Sequence, residues 1–459
     1  MRKLSLLLVV LAGCTVGPKY ERPEVELPEA WKQTAPRYAE DGKWWRIYGD
    51  PDLERTVDEA LKGNGDLLIA AARVDEARAL LGEANSFFWP RVDVAAGASR
   101  QQVSTRTATS FPGIPREYNN HRATLNVSYE LDLFGRLRSG AKVARAELEA
   151  SEASREGVRL ALAAQVAKSY FSLRSLDEQV FLTRKTVSLR EEALALQRRR
   201  LEGGLISQFE LRQLEAEAAV VRAQLPPLER EREREEVALT VLLGRSPREV
   251  FEGKVLVRQV YDETPEAPAV PSGLPSEMLL RRPDLVEAER TLAAANARIG
   301  VARAEMFPSI SLTAFLGSES QALSNLFAGG AAATWQLAAA VTQPIFAGGR
   351  LKARTEAAEA RERAAVAQYQ QAIRAAFGEV RTALIAQSRA RESYDAESAR
   401  AAALSETLRL ARLRYQSGVA SQLDVIDAER GLLAAQIARI DALRAHRAAV
   451  ADLFRALGG

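Results

Sequence analysis

The segment ATLNVSYELDLFGRLRSGAKVARAE, Ala123 to Glu147, decides the fold because its periodicity changes in the middle. Up to Phe134 the residues Ala123, Leu125, Val127, Tyr129, Leu131 and Leu133 are apolar, with Thr124, Asn126, Ser128, Glu130 and Asp132 between them. A period of two belongs to a strand with one apolar and one wet face. After Arg136 the period is helical, in Ala, Glu, Arg and Leu, and no proline occurs until Pro226. A membrane-style strand is thus joined directly to a very long helix.

The totals agree with such a helix. The chain has 459 residues, 27% of them charged and only 6% aromatic, a composition of long helices and coiled coils rather than of disorder. Its formal net charge of +3 gives no broad basic surface for nucleic acid. The single cysteine, Cys14, excludes an internal disulfide framework. It follows a basic Arg2-Lys3 pair and an apolar run from Leu4 to Leu11, the shape of a secretory leader. The ending Leu11-Ala12-Gly13-Cys14 resembles the bacterial lipoprotein cleavage box, which implies removal of 1–13 and acylation of Cys14. The next residue is Thr15, not the Asp that retains such lipoproteins in the inner membrane, so the resemblance favours the outer one. No other apolar run reaches the length a spanning helix requires. Any crossing of a bilayer is expected to use strands.

An internal repeat organises the rest. DLLIAAARVDEARALLGEANSFFWP (Asp66–Pro90) matches DLVEAERTLAAANARIGVARAEMFP (Asp284–Pro308) at an offset of 218. Beyond the strands the offset is 214: it aligns Arg136 with Arg350, Gly204 with Gly418, Ser207-Gln208 with Ser421-Gln422 and Leu243-Gly244 with Leu457-Gly458. Each copy reads helix, strand, loop, strand, long helix, tight turn, helix. Strands are predicted near 91–104 and 121–134 in the first copy, and near 309–318 and 334–346 in the second. Repeat 1 covers 51–244 and repeat 2 covers 284–459. A Pro-rich linker spans 245–283, and an irregular arm at 14–50 ends beside the pair Trp44-Trp45. The long helices are expected from Arg136 to about Glu202 and from Arg350 to about Gln416, each roughly 100 Å at 1.5 Å per residue. Helices of that length must pack laterally. Leu404, Leu408, Ala411 and Tyr415 fit a heptad seam, as do Leu214, Ala218, Val221 and Leu225.

Four strands cannot close a barrel in lipid, where open edges leave unpaired N–H and C=O groups. Two hairpins per chain therefore require oligomerisation, a dimer supplying eight strands and a trimer twelve. A ring of hairpins that continue into helices is a membrane pore joined to a helical tube, that is, a conduit.

Four stretches resemble the TolC-like outer-membrane efflux proteins, in their lipoprotein (NodT-type) branch: CTVGPKYERP at Cys14, WWRIYGDPDLERTVDEAL at Trp44, LRRPDLVEAERTLAAANARIGVARAEMFPSISLTAFLG from Leu280, and RYQSGVASQLDVIDAER from Arg414. The resemblance covers essentially the whole mature chain. It implies a mainly α fold with a membrane β part: a homotrimer with a twelve-stranded transmembrane barrel over a tunnel of long antiparallel helical hairpins. It also implies docking onto a periplasmic adaptor and an inner-membrane pump, usually proton-driven, and contact with outer-membrane lipid.

The hairpin tips read RRRLEGGLISQFEL and RLRYQSGVASQLDV. Gly204 and Gly418 stand where a helix must stop and reverse, and Ser207 and Ser421 follow as N-caps. By resemblance these tips also meet the adaptor. After the second tip an apolar stripe of Val419, Leu423, Ile426, Leu433, Ile437 and Ile440 is interrupted by Arg430, with Asp427 three residues before it. An exposed ion pair at that spacing is the plain reading. The resemblance makes Leu423, Asp427 and Arg430 a periplasmic gate, in one hairpin only, since copy one carries Gln213 and Ala216 at the charged positions. Pro226-Pro227 is expected to break or kink the helix after the first tip. Catalysis has little support: the histidines His121 and His446 are isolated, and no nucleophile motif, phosphate loop, metal-spaced cluster or cofactor motif is present. A pore-free coiled-coil scaffold and a periplasmic enzyme are the rival classes. Within the conduit reading, small-molecule efflux, metal efflux and protein secretion stay open.

Overall fold

The computed structural model describes residues 16–24, 42–104, 106, 116–252 and 281–459. After a 3-10 turn at Trp44–Tyr48, helices α1 (Pro51–Gly63) and α2 (Gly65–Ser86) lead into strands β1 (Arg91–Gln102) and β2 (Glu117–Leu131). Helices α3 (Arg136–Glu202) and α4 (Gln208–Leu242) and the short α5 (Pro247–Glu252) follow. The second half contains α6 (Pro283–Ala304), β3 (Ser309–Ser320), β4 (Ala333–Thr342), α7 (Arg350–Gln416) and α8 (Gln422–Leu457). The two long helices, α3 and α7, each have 67 residues. Cys14 and residues 253–280 of the linker lie outside the described residues.

The chain forms two compact units, and each takes segments from both sequence copies. Unit one is Met1–Glu24, Arg73–Glu152 and Glu287–Gln370; unit two is Val25–Ala72, Ala153–Val286 and Gln371–Gly459.

Unit one holds one antiparallel sheet in the order β1-β2-β3-β4. Its registers place the apolar sets of all four strands on one face. Val92 faces Val127, Val127 faces Ala314 and Ala314 faces Leu337; the next row is Val94, Leu125, Leu316 and Trp335. The opposite face carries Asp93, Asn126, Phe315 and Gln336 in one row, with Arg122 stacked over Phe315 at 4.3 Å. The strands differ from the sequence expectation at their ends. β2 starts four residues early, at Glu117, because backbone pairing with Gln102 is indifferent to side-chain polarity. It stops at Leu131 because Asp132 turns to accept the N–H groups of Leu137 (3.1 Å) and Arg138 (2.8 Å), capping α3. β4 ends at Thr342, short of Pro344, which has no N–H to give a ladder. On the segment that follows Cys14, Arg22 donates to the Tyr369 hydroxyl (3.0 Å) and pairs with Glu289 (3.1 Å).

Unit two has its main core around Trp44, Trp45 and Tyr48, packed on Leu53, Val57, Tyr170, Phe171, Leu239 and Phe454. The end of the expected arm is therefore buried: both tryptophans are 1% exposed, and Trp44 stacks on Phe454 at 5.4 Å. Burial of each such side chain contributes on the order of 1.5–3 kcal/mol. Asp50 caps α1 through the N–H groups of Asp52 and Leu53 and accepts from Tyr170 and Arg174 (2.8 and 3.1 Å), so one carboxylate joins the N-terminal segment to α3. Pro226 and Pro227 do not break α4, which runs through them from Gln208 to Leu242. The carbonyls that lose donors belong to Arg222 and Ala223, both exposed, where water replaces the missing bonds.

Candidate functional site

In unit one the candidate site is the sheet itself. One face is apolar in consecutive rows, the other polar, and the two outer strands, β1 and β4, each have one paired neighbour. Val94 (81% exposed), Trp335 (74%) and Leu337 (75%) leave the apolar face bare in the single chain. No described helix is long and apolar enough to cross a membrane; the sheet carries apolar side chains in consecutive rows on one face.

In unit two the candidate site is the pair of hairpin tips. Gly204 and Gly418 adopt φ of 72° and 77°, the left-handed conformation that lets a helix end without a side-chain clash. Ser207 and Ser421 then open α4 and α8 with full capping boxes: each hydroxyl accepts the N–H three residues on, and Glu210 or Asp424 reaches back to the serine N–H. Those bonds from the serines hold the Glu210 and Asp424 carboxyls below their ordinary range. The repeat is thus reproduced bond for bond at both tips.

Above the tips the symmetry fails. Ile426 of α8 is buried against Leu194 of α3 and Leu211 and Leu214 of α4, so the two hairpins share a small core. Val419 and Leu423 are exposed, so only part of the apolar stripe is covered within one chain. Arg430 lies 3.5 Å from Asp427, as its spacing suggests. Its nearer partner is Glu217 of α4, whose Oε2 is 3.0 Å from the Arg430 Nε. The Glu217 side chain is 11% exposed, against 62% for Asp427. A second bridge joins the hairpins where Glu429 pairs with Arg190 of α3 (3.2 Å), itself 7% exposed, and with Arg412 of α7 (2.9 Å).

Sequence reasoning missed Glu217, Arg190 and Glu429. The signal was faint but present: Glu217 directly precedes Ala218 of a heptad seam, and Gly431 stands at its place in copy two. Arg282 was missed as well. It is buried, donates to the Ala456 carbonyl (2.5 Å) and binds Asp284 (2.7 Å) and Glu379 (2.8 Å), tying the start of α6 to α7 and α8. The histidines fall in unrelated places: His121 sits in β2 opposite Ala98, and His446 is buried near Tyr394. Among the described residues, no group of three or more His, Cys, Asp or Glu is placed to hold a metal.

An amphipathic four-stranded sheet joined to paired helices of this length defines a class of membrane duct, and comparison with known proteins gives the same class. The family model described as outer membrane efflux protein matches residues 56–245 and 274–459. The toluene efflux pump outer membrane protein TtgC of Pseudomonas putida is 36% identical over 470 residues, covering 99% of this chain and 94% of TtgC. The probable outer membrane lipoprotein SilC of Salmonella typhimurium is 33% identical over 471 residues, covering 100% and 99%. The crystal structure of the open state of the Neisseria gonorrhoeae MtrE outer membrane channel superposes with a TM-score of 0.85 at 34% identity, covering 97% of this chain and 98% of MtrE. The chain belongs to the outer membrane efflux protein family. It is the outer-membrane channel component of a tripartite efflux system, a periplasm-spanning duct that works with an adaptor and an inner-membrane pump, and it is not an enzyme.

Proposed function

We propose that three copies of the chain close a twelve-stranded transmembrane β-barrel, lipid-anchored through Cys14, that exports small molecules. The observation that carries this reading is the four-stranded sheet, with one apolar face and an open edge at both β1 and β4. Open edges in hydrocarbon cost several kcal/mol per unsatisfied group. Closure needs other chains, and twelve strands fit the even-numbered series of such barrels. The purified protein in detergent is therefore expected to be a trimer with no stable folded monomer, and to conduct ions in planar bilayers. Native mass spectrometry checks the first point; a well-folded monomer overturns it.

The reading includes the NodT-type lipoprotein branch, the leader at 1–13, the arm at 14–50, the two repeats at 51–244 and 284–459 and the linker at 245–283. The name of SilC supports the lipid anchor. Several acyl chains hold a protein where one would be marginal. Cys14→Ser is expected to abolish acylation and processing at this site while the barrel still inserts. Unmodified Cys14 in the mature wild-type protein, seen by mass spectrometry, rules the anchor out.

In this reading Leu423, Asp427 and Arg430 narrow the periplasmic end of the tunnel. The tips around Gly204, Ser207, Gly418 and Ser421 meet the adaptor, and the pump is proton-driven. Charge interrupting the apolar stripe of α8 in one hairpin supports the gate. The rigid capping of both tips supports a docking role, because a preformed surface spends less entropy on binding. TtgC, named for toluene, supports small organic cargo.

A further inference from the structure

Within unit one the two hairpins obey the same register. Arg91 faces Ser128 in the first, and Ser309 faces Thr342 in the second. These are the same pair under the two repeat offsets, 218 for β1 to β3 and 214 for β2 to β4. The seam between the hairpins, β2 against β3, joins the second strand of one copy to the first strand of the next. In a closed ring the seam between chains joins strands of those same two kinds, β4 and β1.

We propose that the chain-to-chain seam repeats the β2·β3 seam residue for residue, an inference that rests on the trimeric barrel. Leu125 faces Leu316 and Ser128 faces Thr313 inside the chain. Carried through the offsets, Ala339 faces Ala98 of the next chain, Thr342 faces its Ala95 and Val341 its Ala96. The parity is right: Ala339 and Val341 share the face of Trp335 and Leu337, and Ala96 and Ala98 that of Val92 and Val94. A slip of one residue would put each row on the wrong face.

An independent observation fits the same seam. Inside the chain, Phe134 and Phe307 stack at 4.8 Å beneath β2 and β3. Trp89 stands before Pro90 as Phe307 stands before Pro308, and Phe346 lies between β4 and Arg350, two positions before Gly348, which the offset of 214 sets at the place of Phe134. Both remaining aromatics are bare in the single chain, Trp89 at 75% and Phe346 at 91%. The seam brings the Phe346 segment of one chain to the Trp89 end of the next and so covers both rings, and the occupant of this edge is a second copy.

Cysteine pairs test the register. Opposed residues have Cα atoms about 4.5–5.5 Å apart, inside the range a disulfide bridges, whereas a two-residue offset puts them about 7–8 Å apart. In the otherwise wild-type chain, Ala98→Cys with Ala339→Cys is expected to give covalent trimer on mild oxidation. Ala96→Cys with Ala339→Cys, and each single variant, is expected to give at most a trace. The mass of each variant is measured before oxidation. A trimer that cross-links best at the shifted pair, or at neither, overturns the register and leaves the trimer standing. A monomer overturns the trimer, and this seam with it.

Discussion

Alanine at Arg430 is expected to open the periplasmic end of the channel, raising its conductance or open probability in planar bilayers above that of any other single change at the hairpins. Arg430 joins the two hairpins of its chain through Glu217 of α4 at 3.0 Å, and pairs along its own helix with Asp427 at 3.5 Å. The two ion pairs are unequal, and the one to Glu217 is a charge contact without hydrogen-bond geometry. The Asp427 pair is exposed on both sides and is worth under about 1 kcal/mol. Glu217 is almost covered, so losing its partner leaves a desolvated carboxylate at a cost of about 1–3 kcal/mol. That cost is relieved when the hairpins part. If each chain contributes about 1 kcal/mol to one shared opening, three chains shift the closed-to-open ratio roughly a hundredfold. Glu217→Gln is expected to have a smaller effect, Asp427→Ala a smaller one still, and Gln213→Ala none. Unchanged conductance in the Arg430, Glu217 and Asp427 variants alike would return all three to ordinary surface charge.

Arg282→Ala is expected to be the most damaging single substitution for stability. The side chain is 7% exposed, and its guanidinium serves a carbonyl at the end of α8, a carboxylate on α6 and another on α7. Burial alone would weaken its charge, but the bonds it donates to Asp284 and Glu379 outweigh that and hold the guanidinium more firmly protonated than usual. Truncation leaves the Ala456 carbonyl without a donor and frees two half-exposed carboxylates. The expected loss is about 2–4 kcal/mol, read as a fall of several degrees in the thermal transition. Arg282→Lys should recover only part of it, because one ammonium cannot reproduce a planar fork that reaches three acceptors. An unchanged transition in the alanine variant removes the tie from any account of this fold.

What could be read in the sequence follows from which forces are local. The extents of α3 and α7 were readable, because prolines are absent and Gly204 and Gly418 mark the reversals. Strand faces were readable for the same reason: Val92, Val94, Leu312 and Leu337 alternate, and alternation survives pairing. Strand ends were not, since the backbone of Glu117 pairs whatever its side chain prefers. Of the break or kink expected at Pro226-Pro227, the break does not form, because a proline's local cost is borne where neighbours hold the helix and water reaches the freed carbonyls. Glu217, Arg190 and Arg282 were hidden among 60 acidic and 63 basic residues, most of them on solvated helix faces. What singles these three out is a partner hundreds of residues or a whole hairpin away, which no periodicity encodes. Trp44 and Trp45 were visible as a pair, but their burial depends on Phe454 at the other end of the chain.

The shared register of the two hairpins also bears on ancestry. Hairpins that obey one register behave as two copies of a single ancestral subunit, and a chain of half this length would need six copies to complete the ring proposed here for three. Fusion of the halves reduces the encounters that assembly requires. It also releases each half from the other's choices: Pro344 stands where Glu130 does, Gly431 where Glu217 does, and Arg430 where Ala216 does. A sixfold ring must carry a charge at every hairpin or at none. A fused chain can place it at every second one, so that an acidic position and a basic position created by divergence face each other within a single polypeptide, as Glu217 and Arg430 do.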